Sequence, residues 1–416
     1  MRVVVLGGGV VGVTAAYFLA EEGFEVTLID RQAEAASETS YGNAGLVTPG
    51  DSYAWASPEA LKMFLKSLYR RDLGIKVRLR VDPQLWAWSW KFLFQCTRER
   101  TRINTLRKLR IAMYSRECMK ALVERTGLDY DGKSQGVLYF YRSQESLDHG
   151  AAHMRLLADH GLQIEVVDRE GLVRYDPGLA AAKSRLAGGI YSPMDQTGDS
   201  CKFGRKLAAW CAEHKGVRLA LGTTISGIET EGGRVRRVTT DRDNFEAEAF
   251  VLAMGCDSSW LAERIGVRLP IYPVKGYSLT IPLQNAEVAP RIGGVDEDRL
   301  VAYSRLGDRL RMAATAEFAG NDRSFRPADF RVLHAAAREL FPGAGDFDAA
   351  EHWAGLRPMT PSSVPILGRA GYDNFFLDVG HGHVGWTMSC GSGKFVADLV
   401  AGRQPEIDSE GLLYQG

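Results

Sequence analysis

Apolar and polar positions in the first thirty residues follow the order strand, turn, helix, strand. Val3 to Leu6 is a short apolar run, broken by Gly7-Gly8-Gly9. Val10 to Leu19 is apolar and alanine-rich, and Glu21-Glu22 ends this helix before Gly23. Phe24 to Asp30 reads as a second strand, completing one β-α-β unit. Residues 31–50 are rich in Ala, Ser, Thr and Gly and read as a loop with a short helix. Residues 55–125 read as helical, with Leu61, Phe64, Leu65 and Leu68 at helical spacing. Trp86, Trp88, Trp90, Phe92 and Phe94 alternate as in a strand, while their flanks fit a helix packed on a core.

Further on, 136–141 and 163–168 read as strands, Phe203 to His214 as a helix and Val217 to Leu221 as a strand. Thr224 to Ile228 and Val235 to Thr239 flank Gly232-Gly233, which predicts a hairpin. Ala249 to Met254 is another strand, and 271–281 and 297–316 alternate as antiparallel strands do. Phe330 to Leu340 reads as a helix, Phe375 to Val379 as a strand, and 387–401 as a closing helix. The order predicts an α/β protein with a discontinuous Rossmann-like dinucleotide-binding domain (1–50, 196–268 and 349–416). An α+β substrate domain containing an antiparallel sheet is interleaved (51–195 and 269–348).

Composition narrows the class. The chain has 416 residues, 45% hydrophobic and 25% charged, ordinary for a soluble globular protein. Lys+Arg and Asp+Glu are both 51, so no global charge points to nucleic acid. Between Asp51 and Arg110, however, 14 basic and 5 acidic residues leave a net of +9. This reads as a solvated basic face or as a surface for anionic lipid or an acidic partner. Cys96, Cys118, Cys201, Cys211, Cys256 and Cys390 form no CxxC and have no histidine at zinc spacing. We expect reduced thiols, no metal and a cytoplasmic protein. No run reaches transmembrane length, and the N-terminus does not read as a signal peptide.

Candidate chemistry begins at Gly7-Gly8-Gly9-Val10-Val11-Gly12, a G-x-G-x-x-G. Gly7 permits the tight turn, Gly9 lets the backbone approach a pyrophosphate, and Gly12 lets helix and strand pack closely. Asp30, at the end of the next strand, is placed to accept from ribose hydroxyls and disfavours a 2′-phosphate. FAD and NAD both remain open from this segment. The small, polar stretch Glu38 to Gly45 would let a flat ring and a phosphate near the backbone, and Ala253 to Gly255 is a strand end of the kind that faces a ligand. Arg357, in the stiff stretch Gly355-Leu356-Arg357-Pro358, suits a grip on a carboxylate. Gly380 to Thr387 is a glycine-rich turn before a helix, suited to stabilising negative charge on a reduced ring; His381 and His383 read as acid–base groups or as turn residues.

Four stretches together resemble the D-amino acid oxidase-like (glycine oxidase-like) flavoprotein superfamily, nearest within it to the bacterial D-amino acid dehydrogenase small-subunit group. They are VVVLGGGVVGVTAAYFLAEEGFEVTLIDRQ, ETSYGNAGLVTPG, HWAGLRPMTPSSVPILG and DVGHGHVGWTMSCGSGKFVADL. The resemblance implies non-covalent FAD extended across the N-terminal domain. Its cofactor set would be Gly7, Gly9, Val11, Gly12, Asp30, Arg31, Thr39, Ser40, Asn43, Ala44, Gly45, Thr224, Ile225, Ala253, Gly255, Gly382, Val384, Gly385, Trp386 and Thr387. Arg357 would bind the substrate carboxylate. Tyr277 or Tyr303 would help hold it, His383 would border the substrate, and Lys275 would face the flavin or solvent.

The implied reaction is hydride transfer from the Cα–H of a D-amino acid to flavin N5. The resulting imino acid would hydrolyse to an oxo acid and ammonia, with electrons passed to a quinone or other carrier. His383 and the loop at Tyr41-Gly42 depart from the commoner dehydrogenase pattern. That points to a narrower substrate, such as the cyclic imino acids D-hydroxyproline or D-proline. An oxygen-using glycine- or sarcosine-type amine oxidase and a non-catalytic flavin-binding module are the alternatives. The basic, tryptophan-rich region 62–110 is the expected site of peripheral contact with the inner face of the cell membrane or with a partner.

Overall fold

The computed structural model describes residues 1–61, 74–77 and 81–416. The helical spacing read at Phe64, Leu65 and Leu68 lies outside them. Among the described residues a six-stranded sheet runs in the order Ile366–Arg369, Phe375–Val379, Ala249–Leu252, Arg2–Leu6, Glu25–Asp30, Arg218–Leu221. All neighbours are parallel except the outermost pair, Ile366–Arg369 against Phe375–Val379. The central strands Arg2–Leu6, Ala249–Leu252 and Phe375–Val379 are buried on both faces, which is why their residues read as near-continuous apolar runs. Val3, Val5, Leu28 and Val251 point into one core, which also holds helices Val10–Glu21, Ser200–Lys215 and Gly385–Val400. Val4, Leu6, Ile29, Phe250 and Leu252 point into the other, under the antiparallel strands Ile225–Glu231, Arg234–Thr240 and Asn244–Glu246. The hairpin expected at Gly232-Gly233 is there.

A second, mostly antiparallel sheet of nine strands has the order Glu351–Met359, Tyr272–Pro282, Arg309–Phe318, Val301–Leu306, Gly293–Asp296, Val137–Tyr141, Gly188–Ser192, Glu165–Asp168. Its ninth strand, Ile75–Val77, runs parallel beside Arg309–Phe318. Helix Arg331–Leu340 packs on it through Leu333, Ala336, Ala337 and Leu340.

Three expectations need correction. Strand Ile75–Val77 interrupts the stretch read as wholly helical, because Ala316 to Phe318 offers it an open sheet edge. Strand Glu351–Met359 pairs along Tyr272–Pro282, so a boundary at 349 cuts through the nine-stranded sheet. Helix Arg98–Thr126 buries Ile111, Ala112, Met119 and Leu122 against the first core, so the segment beginning at 51 does not belong wholly to the second unit.

Helix Pro83–Gln95 resolves the aromatic run. Asp82 caps it by accepting from the Leu85 amide at 3.0 Å, and Pro83 occupies the first turn, where no amide partner is needed. Helical geometry separates the tryptophans that share a spacing of two. Trp88 turns inward with Leu85 and Phe92 onto Tyr272, Val274 and Met359, and its indole N–H donates to the Met359 carbonyl at 2.8 Å. Trp86 and Trp90 turn outward.

Candidate active site

One cavity of about 940 Å³ lies between the two sheets. At its N-terminal end the chain leaves strand Arg2–Leu6 through Gly7, at φ +108°, a backbone that disfavours any side chain. A Cβ on Gly12 would sit 1.8 Å from the Gly7 carbonyl oxygen, so glycine there sets the distance between helix and turn. Gly9 and Val11 line the cavity. The N-cap residue of helix Val10–Glu21, Gly9, has no side chain to cap it, and the N-terminal end of the helix faces the cavity.

Asp30 accepts the Gly8 amide at 2.6 Å and the Gln32 amide at 2.7 Å. Burial raises its carboxyl above the ordinary value, and those two hydrogen bonds oppose the shift. Each oxygen keeps a lone pair for a further donor. Arg31 lines the cavity but is already paired with Glu38 and Asp257, each at 2.9 Å.

Thr39, Ser40, Asn43 and Ala44 line the next stretch. The Ser40 hydroxyl accepts the Val10 amide at 3.1 Å, and Thr39 donates to the Leu356 carbonyl at 2.8 Å. The second sheet holds this loop from behind. Arg311 donates to the carbonyls of Tyr41 (2.8 Å) and Asn43 (3.0 Å), and Ser304 donates to that of Ala44 (2.6 Å). Gly45 departs from its expected role: it lies outside the cavity wall, at φ +78°, and a Cβ there would meet the Ser304 hydroxyl at 2.3 Å. It shapes the turn rather than facing a ligand.

Thr224, Ile225, Ala253 and Gly255 line the same end, while Gly382, Val384, Gly385, Trp386 and Thr387 line the far wall. Trp386 is buried there with its indole N–H unpartnered, and helix Gly385–Val400 begins without a side-chain cap. Two helix N-termini, a glycine cradle, an acidic strand end and an orphaned indole donor in one cavity fit an extended dinucleotide with a flat ring system at one end. Thr387 is committed, accepting the Thr48 amide at 3.0 Å. His381 is fixed by Ser392 at 2.9 Å and Asp378 at 3.2 Å.

Side chains from five separate segments gather beyond that turn. Arg357 donates to the Thr315 carbonyl at 2.7 Å. That carbonyl is aimed by a β-bulge: Lys275 pairs with Glu317 but Tyr277 with Ala314, and Thr315 sits at φ +71°. Opposite it, Gly276 leaves room that a Cβ would take, 2.4 Å from the guanidinium. Burial lowers the Arg357 pKa to about 10, with Asp51 pulling the other way, so it stays charged at neutral pH. His383 stacks on Trp55 with ring centroids 4.7 Å apart, and its Nε2 is 3.6 Å from Asp51. Burial, then the charge of Lys108, lowers its pKa, so the ring is neutral at neutral pH. Asp51 stays below the usual carboxylate value despite burial, held there by His383, Lys108 and Arg357. Lys108 donates to the Tyr53 carbonyl at 2.9 Å, and burial pushes it down to about 8. Across the cavity, burial pushes Glu297 up to about 8.

The two tyrosines part company. Tyr277 lines the cavity, with its hydroxyl hydrogen-bonded to Glu317. Tyr303 does not reach the cavity. Its neighbour Ala302 faces the cavity, so alternation along the strand turns Tyr303 to the opposite side, packed on Phe341 at 4.8 Å. Lys275 faces neither the cavity nor solvent: it is buried, with its ammonium on the Ser324 carbonyl at 2.8 Å. Asp51, Trp55, Lys108, Glu297 and Arg311 carried no motif. Asp51 alone had a local cue, an acid directly after the Pro49-Gly50 turn that follows the small-residue loop.

A family model described as FAD dependent oxidoreductase (DAO) matches residues 2–399. The chain is 58% identical over 416 residues, all of both chains, to a protein of Mesorhizobium japonicum named D-amino acid dehydrogenase 2. It is 47% identical over 413 residues, 99% of this chain and 98% of the other, to a D-amino acid dehydrogenase of Paramagnetospirillum magneticum. Among solved structures, glycine oxidase from Geobacillus kaustophilus shares the fold with a TM-score of 0.77 at 23% identity, each chain covered completely. With its glycine cradle, Asp30 and buried arginine along one cavity, the chain belongs to the DAO family of FAD-dependent oxidoreductases.

Proposed function

We propose that this protein is a dehydrogenase of D-amino acids, or of a cyclic D-imino acid such as D-hydroxyproline or D-proline. The observation that carries the reading is Arg357, a charged guanidinium fixed by the Thr315 carbonyl in the cavity that also holds the Gly380–Thr387 turn. The names of the relatives described above support the substrate class. FAD, when bound, supplies the hydride acceptor. Gly7, Gly9, Val11 and Gly12 would hold its pyrophosphate and Asp30 its ribose. Thr39, Ser40, Asn43, Ala44, Thr224, Ile225, Ala253 and Gly255 would flank it, and Gly382 to Thr387 would border its ring.

Arg357 receives the substrate carboxylate and so fixes where the Cα–H points. Hydride departure requires an uncharged amine. His383, neutral and with Asp51 at 3.6 Å to stabilise an imidazolium, is the group to take the ammonium proton. Tyr277, tied to Glu317, walls the pocket. The imino product hydrolyses to an oxo acid and ammonia, or persists if cyclic. Electrons go on to a quinone or other carrier, with peripheral contact to the inner face of the membrane through region 62–110. Among the described residues no helix is long and apolar enough to cross a membrane.

The test is anaerobic bleaching of the bound flavin by a panel of D-, L- and N-substituted amino acids. Bleaching by D-substrates supports the reading, and bleaching by L-substrates alone overturns it. Stoichiometric peroxide in air would identify an oxidase instead.

A further inference from the structure

Helix Pro83–Gln95 is apolar on two sides. Its inner side is satisfied: Leu85, Trp88 and Phe92 pack on the nine-stranded sheet. Its outer side carries Trp86, Trp90, Leu93 and Phe94, which are 58%, 64%, 46% and 54% exposed. These positions follow the i, i+4, i+7, i+8 spacing of one helix face. Trp90 and Phe94 are already edge-to-face at 5.2 Å, so the patch is a formed surface. A soluble helix needs one apolar stripe, and the second has no use within the described chain.

The rim indicates what covers it. Lys91 on the helix and Arg98, Arg100 and Arg102 just beyond are exposed, with Glu99 the one exposed acid among them. Two indoles with a basic border suit a membrane interface, where the ring lies at headgroup depth and the cations meet lipid phosphates. A second copy of this chain would bring the same positive stretch against itself, which charge repulsion disfavours. We infer that the Trp86–Trp90–Leu93–Phe94 face of this helix is the membrane-seating surface, and that its occupant is an anionic bilayer. The inference rests on the peripheral contact proposed above and assigns it to specific side chains. Phe92, on the same helix, lines the cavity, so seating here sets the cavity wall beside the lipid phase.

The experiment uses the flavin-loaded full chain and sedimentation with phosphatidylglycerol/phosphatidylcholine vesicles, with pure phosphatidylcholine as control. Wild type is expected to pellet with the anionic vesicles only, and less as salt rises. The double variant Trp86→Ser/Trp90→Ser should bind about tenfold more weakly, losing two interfacial anchors. Lys91→Glu/Arg98→Glu should lose the salt-sensitive part. All variants should reduce a water-soluble dye with amino acid at the wild-type rate. That assay tests the substrate reading separately and reports folding. Undiminished vesicle binding by the tryptophan variant overturns the assignment. So does a wild type that ignores anionic vesicles and instead forms a dimer, by light scattering, which the variant abolishes.

Discussion

The two ends of the cavity are built differently. The dinucleotide end is mostly main chain. Its shape comes from Gly7, Gly9 and Gly12, two helix ends and a strand terminus, all set by short-range sequence. The proposed substrate end is made of side chains at 51, 108, 297, 357 and 383, brought together only by the tertiary fold. A backbone site tolerates change everywhere except where a Cβ intrudes. A side-chain site depends on each charge answering another, so one substitution alters several protonation states.

Arg357→Ala probes that contrast hardest. It should lower kcat/KM about a thousandfold, since the buried charge proposed to receive the substrate carboxylate is removed. The flavin should be retained, visible in the absorbance of the purified protein. Loss of flavin together with activity would blur the division between the two ends. Gly12→Val attacks the other end. Its Cβ lands on the Gly7 carbonyl oxygen, and flavin affinity should fall about a hundredfold as helix and turn are forced apart.

The third test concerns the charge network. His383→Gln should cost about a hundredfold in kcat/KM as the proposed proton acceptor is lost. In wild type the acid limb of kcat/KM should lie below the ordinary histidine value, because burial and then Lys108 disfavour the imidazolium. Asp51 favours it, so Asp51→Asn should move that limb to still lower pH. A limb that stays put would show that His383 does not set it. The smallest effect is at Glu297. Its pKa is raised on folding to about 8, so the native state holds a proton that the unfolded chain releases. Stability should decline as pH rises from the ordinary glutamate value through about 8. Glu297→Gln should flatten that decline and raise Tm by about a degree or two at the alkaline end.

The same division governs what the sequence revealed. The β-α-β unit, Asp30, the Gly232-Gly233 hairpin and strand Phe375–Val379 were legible because each is encoded in its own few residues. The place of Arg357 on the cavity wall was legible from a stiff local context. Tyr303 was misjudged because alternation gives two faces without saying which meets the cavity; Ala302 decides it. Trp86 to Phe94 defied a spacing of two because the pocket for Trp88 comes from Tyr272 and Met359, distant in sequence. The pairing of Asp51 with His383 spans the chain and leaves no local trace.

Arg311 and Ser304 give the loop at 41–44 a history. In the linear chain 270 residues separate Arg311 from Tyr41, and 260 separate Ser304 from Ala44. During synthesis the glycine turn emerges from the ribosome at once, while the loop beside it waits for strands made much later. A nascent chain that ends before Arg311 has a cradle with one wall unformed. A complete cavity therefore needs strands from both halves of the polypeptide.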